Sequence, residues 1–184
     1  MERNNHSIKI NNMMRKLLFT AFLMLSALSI HAQDVQSPAA PELEFVMQLK
    51  VTLGESYSVG NTPRGRRNVV PITGGTFEGP KLKGTILSGG ADYQMGSADG
   101  SRTEIEAIYS IKTDDGYYIH VRNRGIIATE KNDQGMPSFY FRCAPQLEAP
   151  ADSPYAWMNN ALFVCAPAMS AGFRGIALNV WKVK

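Results

Sequence analysis

The segment from Glu104 to Gly125 constrains the fold more than any other part of this chain, because it contains two alternating strands joined by an Asp-Asp-Gly turn. On the first strand the apolar side chains fall at odd positions, as Ile105, Tyr109 and Ile111 illustrate. A period of two is typical of a strand with one buried face. We therefore predict a β-hairpin whose first strand turns its odd positions toward the core.

The turn leaves open which face of the return strand is buried. A two-residue Asp-Gly loop places His120, Arg122 and Arg124 inside. A three-residue loop with its glycine in the left-handed conformation reverses the parity and places Ile119 and Val121 inside. Buried guanidinium groups are costly unless water, carboxylates or a ligand surround them. The first register therefore predicts a polar interior and the second an apolar one.

The N-terminal region has the features of a secretory signal peptide. Arg15 and Lys16 precede an apolar run at residues 17–30, and small residues follow at a cleavage site. The run is short for a membrane span, and nothing later in the chain is apolar enough to be one. We expect cleavage after Ala32, a periplasmic or secreted protein, and no stable membrane insertion after processing.

Cleavage there would divide the chain into a signal peptide at 1–32, a flexible leader at 33–41 and a folded domain at 42–184. The mature part is long enough for one domain with a hydrophobic core. The chain has 19 basic and 16 acidic side chains. The signal segment holds four of the basic and one of the acidic residues, which leaves 15 of each. This balance gives no electrostatic reason to expect nucleic acid or an anionic membrane as a partner.

Short β-prone segments separated by glycine and proline turns continue along the rest of the domain. Gly74-Gly75 and Gly89-Gly90 mark bends or bulges in a curled sheet. No convincing helix of about ten residues interrupts the pattern. We predict an all-β fold, a single closed antiparallel β-barrel of about 8–10 short strands of the calycin or lipocalin kind, since closure removes exposed strand edges.

The domain lacks the residue spacing of a metal or nucleotide site. It has one histidine and two separated cysteines, Cys143 and Cys165, and it contains no G-x-G-x-x-G or Walker motif. We predict no metal and no cofactor. An exported protein can form a disulfide, but the sequence does not establish that the two Cα atoms lie within about 7 Å. The sequence is compatible both with a disulfide between Cys143 and Cys165 and with two buried free thiols.

Charged and aromatic side chains from several predicted strands make up the candidate ligand-binding site. In a barrel of this size such groups can line a cavity for a small molecule, with arginines holding a carboxylate or phenolate. Alternatively, the arginine–carboxylate pairs only link strands. The candidate residues are Glu78, Asp92, His120, Arg122, Arg124, Tyr140, Arg142 and Trp157.

His120 and Asp92 are the candidate catalytic residues, either as a base with its orienting carboxylate or with the aspartate as the base. A lone histidine on a strand is more often structural, and no G-x-S-x-G motif supports a nucleophile. A basic cluster at Arg64, Arg66 and Arg67 is either a solvated loop or an anion site.

Seven short motifs, in order along the chain, together resemble the family called domain of unknown function 3237. The resemblance spans roughly Leu43 to Val183 and implies a small antiparallel barrel that self-associates as a homo-oligomer, in a family without an assigned activity. The sequence departs from the family pattern at residues 147–149 and 165–167. The motifs are Pro63-x-Gly65-x-Arg67 and the segments 72–80, 89–94, 113–116, 121–125, 139–142 and 155–164.

These observations predict an exported barrel that binds a small organic molecule, anionic or aromatic, in a polar cavity. An isomerase or cyclase that uses acid–base chemistry in the same cavity is the alternative.

Overall fold

The computed structural model describes residues 37–169 and 172–184, and within them the chain is almost entirely antiparallel β-structure. The predicted signal peptide at 1–32 lies outside the described residues, as does the first part of the predicted leader. Within the described ranges, no helix has the length and apolar character needed to cross a membrane.

Ten strands and one short 3-10 helix make up the fold of residues 37–169 and 172–184. The helix, Ala156–Asn160, lies between the eighth and ninth strands. The strands are β1 Leu43–Leu53, β2 Tyr57–Thr62, β3 Gly65–Glu78, β4 Lys83–Ile86, β5 Gly90–Gly96, β6 Arg102–Thr113, β7 Tyr118–Lys131, β8 Pro137–Glu148, β9 Phe163–Pro167 and β10 Ile176–Val183.

The sheet closes on itself because β1 pairs with β10 on one side and with β3 on the other. Strand β2 continues the line of β1 along β3, and β4 and β5 both lie between β3 and β6. The ten described strands therefore occupy eight positions around the barrel. The prediction of a closed antiparallel β-barrel is confirmed.

The hairpin between β6 and β7 has a three-residue loop. The Gly116 N–H donates to the Thr113 carbonyl at 2.9 Å, and Gly116 has a φ of +97°. Tyr109 then pairs with Val121, and Ile119 and Val121 are fully buried. The register that places a histidine and two arginines inside the barrel is wrong.

His120, Arg122 and Arg124 lie on the outer face of β7 and not inside the barrel. His120 and Arg124 are exposed and Arg122 is half-buried. The physical reason is the one that weighs against the polar interior: guanidinium groups inside would be desolvated, whereas the aliphatic side chains of the other face lose nothing by burial.

An apolar core fills the closed part of the barrel. Met47, Leu49, Ile111 and Val180 are at most 1% exposed and belong to one continuous cluster. Cys143 and Cys165 lie in the same cluster, where both thiols are buried and free. The interior at this level is packed with side chains, as in other barrels of this size.

Beyond the closed part, the sheet extends as a more open end. There, residues 137–142 of β8 pair with β7 alone, and within the described residues β2 pairs with β3 alone. The first half of β3, β5 and the adjoining halves of β6 and β7 lie between these two edges. This open end carries the candidate site.

Candidate functional site

A groove of about 870 Å³ lies across the open end of the sheet. Five arginines and two glutamates line it, together with two tyrosines and the apolar side chains of Met95 and Ile126. The charged and tyrosine residues of this arginine groove are Arg64, Arg67, Arg102, Arg124, Arg142, Glu104, Glu106, Tyr93 and Tyr140.

The groove is on the outer face of the sheet, and strand alternation explains why. On β6, Ile105 and Ala107 contribute to the core, so Glu104 and Glu106, which alternate with them, point outward. The pairing of β6, β7 and β8 places the even-numbered residues of all three strands on this same face, and Arg124 of β7 lies opposite Glu106. The charged side chains of the groove and the core side chains therefore lie on opposite faces of the sheet, and of the core residues Ile105 and Cys143 also border the groove.

One carboxylate joins two arginines on the neighbouring strand. Oε1 of Glu106 accepts hydrogen bonds from Nε of Arg122 at 2.8 Å and from Nε of Arg124 at 2.9 Å. Hydrogen bonds from Arg124 and Arg122 lower the pKa of Glu106 below its usual value. Glu106 is therefore a poor proton acceptor, and its role in the groove is to hold the two guanidinium groups.

Three other arginines of the groove have no carboxylate partner within the described ranges: Arg64, Arg67 and Arg142. The Arg67 guanidinium donates to the carbonyl of Tyr93 at 3.0 Å. That of Arg142 donates to the Phe141 carbonyl at 2.7 Å and lies 5.5 Å from the ring centroid of Tyr140. Carbonyls do not neutralise charge, so the groove has an excess of positive charge.

Asp92 lies on the opposite face from the groove. It pairs with Ala107, whose side chain packs on the core. Asn68 donates to Gln94 at 3.2 Å, and Gln94 donates to Asp92 at 2.9 Å. The other carboxylate oxygen accepts the Glu106 N–H at 3.0 Å. Burial raises the pKa of Asp92. The hydrogen bonds from Gln94 and Glu106 lower the pKa, but they offset only part of this increase.

The structure brings three of the eight predicted ligand-binding residues into the groove: Arg124, Tyr140 and Arg142. Arg122 joins them through Glu106. His120 lies on the same face, further along β7 and opposite Ser110 and Glu148.

The other three lie elsewhere. Asp92 is on the inner face, and Glu78 is exposed at the end of β3. Trp157 is on the 3-10 helix, with its ring 5.9 Å from that of Phe163 and below the Lys182 ammonium group. His120 and Asp92 are on opposite faces, which separates the predicted base from its orienting carboxylate. No group of three potential metal ligands occurs in the described ranges.

Several groove residues were not among the predicted ligand-binding set, notably Glu106, Tyr93, Met95 and Arg102. The basic cluster contributes Arg64 and Arg67 to the groove, while Arg66 does not line it. Glu106 could have been found from the three-residue hairpin loop alone, because that register places it opposite Arg124.

Comparisons with known proteins agree with this fold. A family model described as "Protein of unknown function (DUF3237)" matches residues 41–183. A UPF0311 protein of Clostridium acetobutylicum is 32% identical over 142 residues, which is 72% of this chain and 89% of that protein. The crystal structure of a beta-barrel-like protein from Acinetobacter baumannii is 29% identical with a TM-score of 0.68, over 81% of this chain and 99% of that one.

A more distant relative has a described reaction. A protein of Penicillium herquei, named as a hydroalkoxylation enzyme, is 32% identical over 109 residues. The match covers 59% of this chain and 71% of that protein.

Proposed function

Since the chain belongs to the DUF3237 family of proteins of unknown function, whose fold it shares, we propose a function from its groove: the protein binds a small aromatic molecule that carries a carboxylate or phenolate. The observation that supports this most directly is a groove with two tyrosines on which three arginines converge that have no carboxylate partner among the described residues. Guanidinium groups recognise carboxylates through paired hydrogen bonds, and their planar faces stack on aromatic rings.

The aromatic part of the ligand would lie against the tyrosines. Tyr93 and Tyr140 are each 42% exposed, and Met95 and Ile126 add apolar surface beside them. A groove that combines apolar surface with a few charged groups is what a small organic anion requires. The two carboxylates of the groove are already paired, Glu104 with Arg102 and Glu106 with Arg124, so they offer little repulsion.

Titration calorimetry with 4-hydroxybenzoate and the neutral 4-hydroxybenzyl alcohol tests this proposal. We expect the anion to bind at least tenfold more tightly, and Arg67→Ala or Arg142→Ala to weaken it by roughly 10- to 100-fold, the value of a hydrogen bond to a charged group. Arg174→Ala, an exposed arginine outside the groove, serves as the control. Equal binding of the two probes, or variants that bind like the control, would contradict the proposal.

The second candidate function is an isomerase or cyclase, and Asp92 favours it. Burial raises the pKa of Asp92, which makes its carboxylate a stronger proton acceptor than an ordinary aspartate. Hydroalkoxylation, the reaction in the name of the Penicillium herquei relative, adds O–H across a carbon–carbon double bond and needs such proton transfers. Because Asp92 is on the inner face, its substrate would have to reach it from inside the barrel and not from the groove.

A phenol that carries an alkene within reach of its hydroxyl is a suitable substrate, with the cyclic ether measured by chromatography. If Asp92 transfers the proton, Asp92→Asn lowers kcat by roughly 100-fold or more, while His120→Ala leaves it unchanged. Cyclisation at the same rate in the Asp92→Asn protein would exclude this role.

We also propose that the protein is exported, on the basis of the leader sequence. Expression in a bacterial host, followed by fractionation and intact mass measurement, should give a periplasmic or secreted protein that begins at Gln33. A cytoplasmic product of full mass would contradict this.

A further inference from the structure

Cys143 and Cys165 face each other across β8 and β9, and within the described residues theirs is the one paired position that these strands share. Directly opposed residues of antiparallel strands have Cα atoms about 4.5–5.5 Å apart. This is inside the range that a disulfide spans. We propose that the two cysteines are a redox modification site, in which oxidation forms a disulfide that fixes β9 to β8.

The surroundings of the two thiols suit this chemistry. The side-chain amide of Asn123 lies 3.5 Å from Sγ of Cys165, and the thiol in turn lies 3.7 Å from the amide oxygen. A hydrogen bond from Cys143 lowers the pKa of Cys165, while the same hydrogen bond and burial raise the pKa of Cys143. The hydrogen bonds to Cys165 favour it as the thiolate of the pair, and the thiolate is the nucleophile in disulfide formation.

Because both thiols are buried in the folded protein, the reaction takes place while the chain folds, with a small disulfide such as glutathione disulfide as the oxidant. The Cys165 thiolate attacks one sulfur of glutathione disulfide, forms a mixed disulfide and releases one glutathione thiolate. Cys143 loses its proton and attacks the Cys165 sulfur, which releases the second glutathione. The protein loses two electrons and two protons in total, and one glutathione disulfide becomes two glutathione thiols.

The position of the pair links this oxidation to the open end of the barrel. On the N-terminal side of Cys143, β8 pairs with β7 alone and carries Tyr140 and Arg142 into the groove. On the C-terminal side, the chain passes through the 3-10 helix before it returns as β9. A disulfide would close this connection into a loop and restrain the strand that forms one wall of the groove.

The test is to refold the reduced, full-length protein in a glutathione redox buffer and in a reducing buffer. In the redox buffer we expect a species about 2 Da lighter, with no thiol open to alkylation after denaturation and a peptide that links Cys143 to Cys165. Its Tm should be roughly 5–10 °C above that of the reduced protein. Cys143→Ser and Cys165→Ser proteins should show no such shift between the two buffers.

Two results would overturn the proposal. One is a refolded wild-type protein that keeps two alkylatable thiols in an oxidising glutathione buffer. This result would mean that the two sulfur atoms do not come within bonding distance. The other is a protein with glutathione on both cysteines or with bonds between chains. Since both results are measured on the wild-type chain, they hold even if a serine variant fails to fold.

Discussion

The hydroxyl group of Tyr109 is buried, and no hydrogen-bond partner is present for it in the described part of the chain. Burial raises the pKa of this phenol, so it stays neutral. An unsatisfied buried hydroxyl is unfavourable, and phenylalanine keeps the ring that packs in the core. We expect Tyr109→Phe to leave the free energy of unfolding unchanged or to raise it by up to about 1 kcal/mol, measured by urea denaturation.

The matched control is Tyr155→Phe, which removes a hydroxyl that donates to the Asp115 carboxylate at 3.0 Å. This change should lower the free energy of unfolding by about 0.5–1.5 kcal/mol. If Tyr109→Phe lowered it by as much, the Tyr109 hydroxyl would have a partner, such as a buried water molecule.

Asp92 should give the stability a pH dependence opposite to that of most carboxylates. Its folded-state pKa is raised above the ordinary 3.8, chiefly by burial, so the folded protein binds the proton more tightly than the unfolded chain. The free energy of unfolding therefore falls as the pH rises from about 3.8 through the folded-state pKa. Asp92→Asn should remove this decrease and should be at least as stable as the wild type at pH 7, measured by denaturation at pH 4 and pH 7.

Asp99 is the natural comparison, because its pKa is shifted the other way. Hydrogen bonds from Ser97 and Ser101 lower the pKa of Asp99 to about 2, so its contribution is present at neutral pH and is lost as the pH falls toward that value. Asp99→Asn should therefore lose stability at pH 7. An Asp92→Asn protein that behaved in the same way would mean that the Asp92 carboxylate is stabilised in the folded state.

At the scale of single strands and hairpins, the sequence predicted which segments are strands but not how they face one another. The alternation on β6 identified its buried side correctly. The Asp-Asp-Gly turn is compatible with loops of two or three residues, and one residue of difference exchanges the two faces of β7. The cost of burying arginines was the better guide, and it favours the observed register.

The composition of the site depended on that register, which explains why only part of the site was predicted. Arg124, Tyr140 and Arg142 lie together in the groove, since they come from neighbouring strands of one face. Asp92 was grouped with them although it points inward. Its inward direction follows from the register in which β5 pairs with β3 and β6, and the sequence alone does not establish that register.

The pair of β6 and β7 supplies a test of charge in the groove. Glu106→Gln removes the carboxylate that neutralises Arg122 and Arg124, so we expect 4-hydroxybenzoate to bind roughly two- to tenfold more tightly at low salt. The gain should shrink in about 1 M salt, which screens charge over a few ångströms. Because these ion pairs are partly exposed, the free energy of unfolding should fall by no more than about 1 kcal/mol.

Glu130→Gln makes the same change of charge on β7 at an exposed position that does not line the groove. It should leave binding nearly unchanged in titration calorimetry at low salt. An equal gain in both variants would show that net charge attracts the anion and that the local ion pair has no part in binding it.

At the scale of the whole molecule, the barrel depends on a close approach between β1 and β3. Residues 48–53 of β1 pair with residues 72–78 of β3, and this pairing completes the ring. Gly75 makes it possible: it has a φ of +136°, and a Cβ atom there would collide with the carbonyl oxygen of Lys50 on β1. The sequence marked the Gly-Gly pair as a bend, and the structure places it at the point where the sheet closes.

Gly75→Ala should therefore weaken closure itself. A side chain at this position combines an unfavourable backbone conformation with a clash against backbone that cannot rotate away, and we expect a loss of roughly 3 kcal/mol or more in the free energy of unfolding. Hydrogen exchange should rise first in β1 and β3, because their pairing opens. Gly135→Ala is the control: its φ is +74°, but a Cβ there meets nothing within 4 Å, so the cost should be about 1 kcal/mol. If both variants lost the same small amount of unfolding free energy, the close approach at Gly75 would not be needed to hold β1 and β3 together.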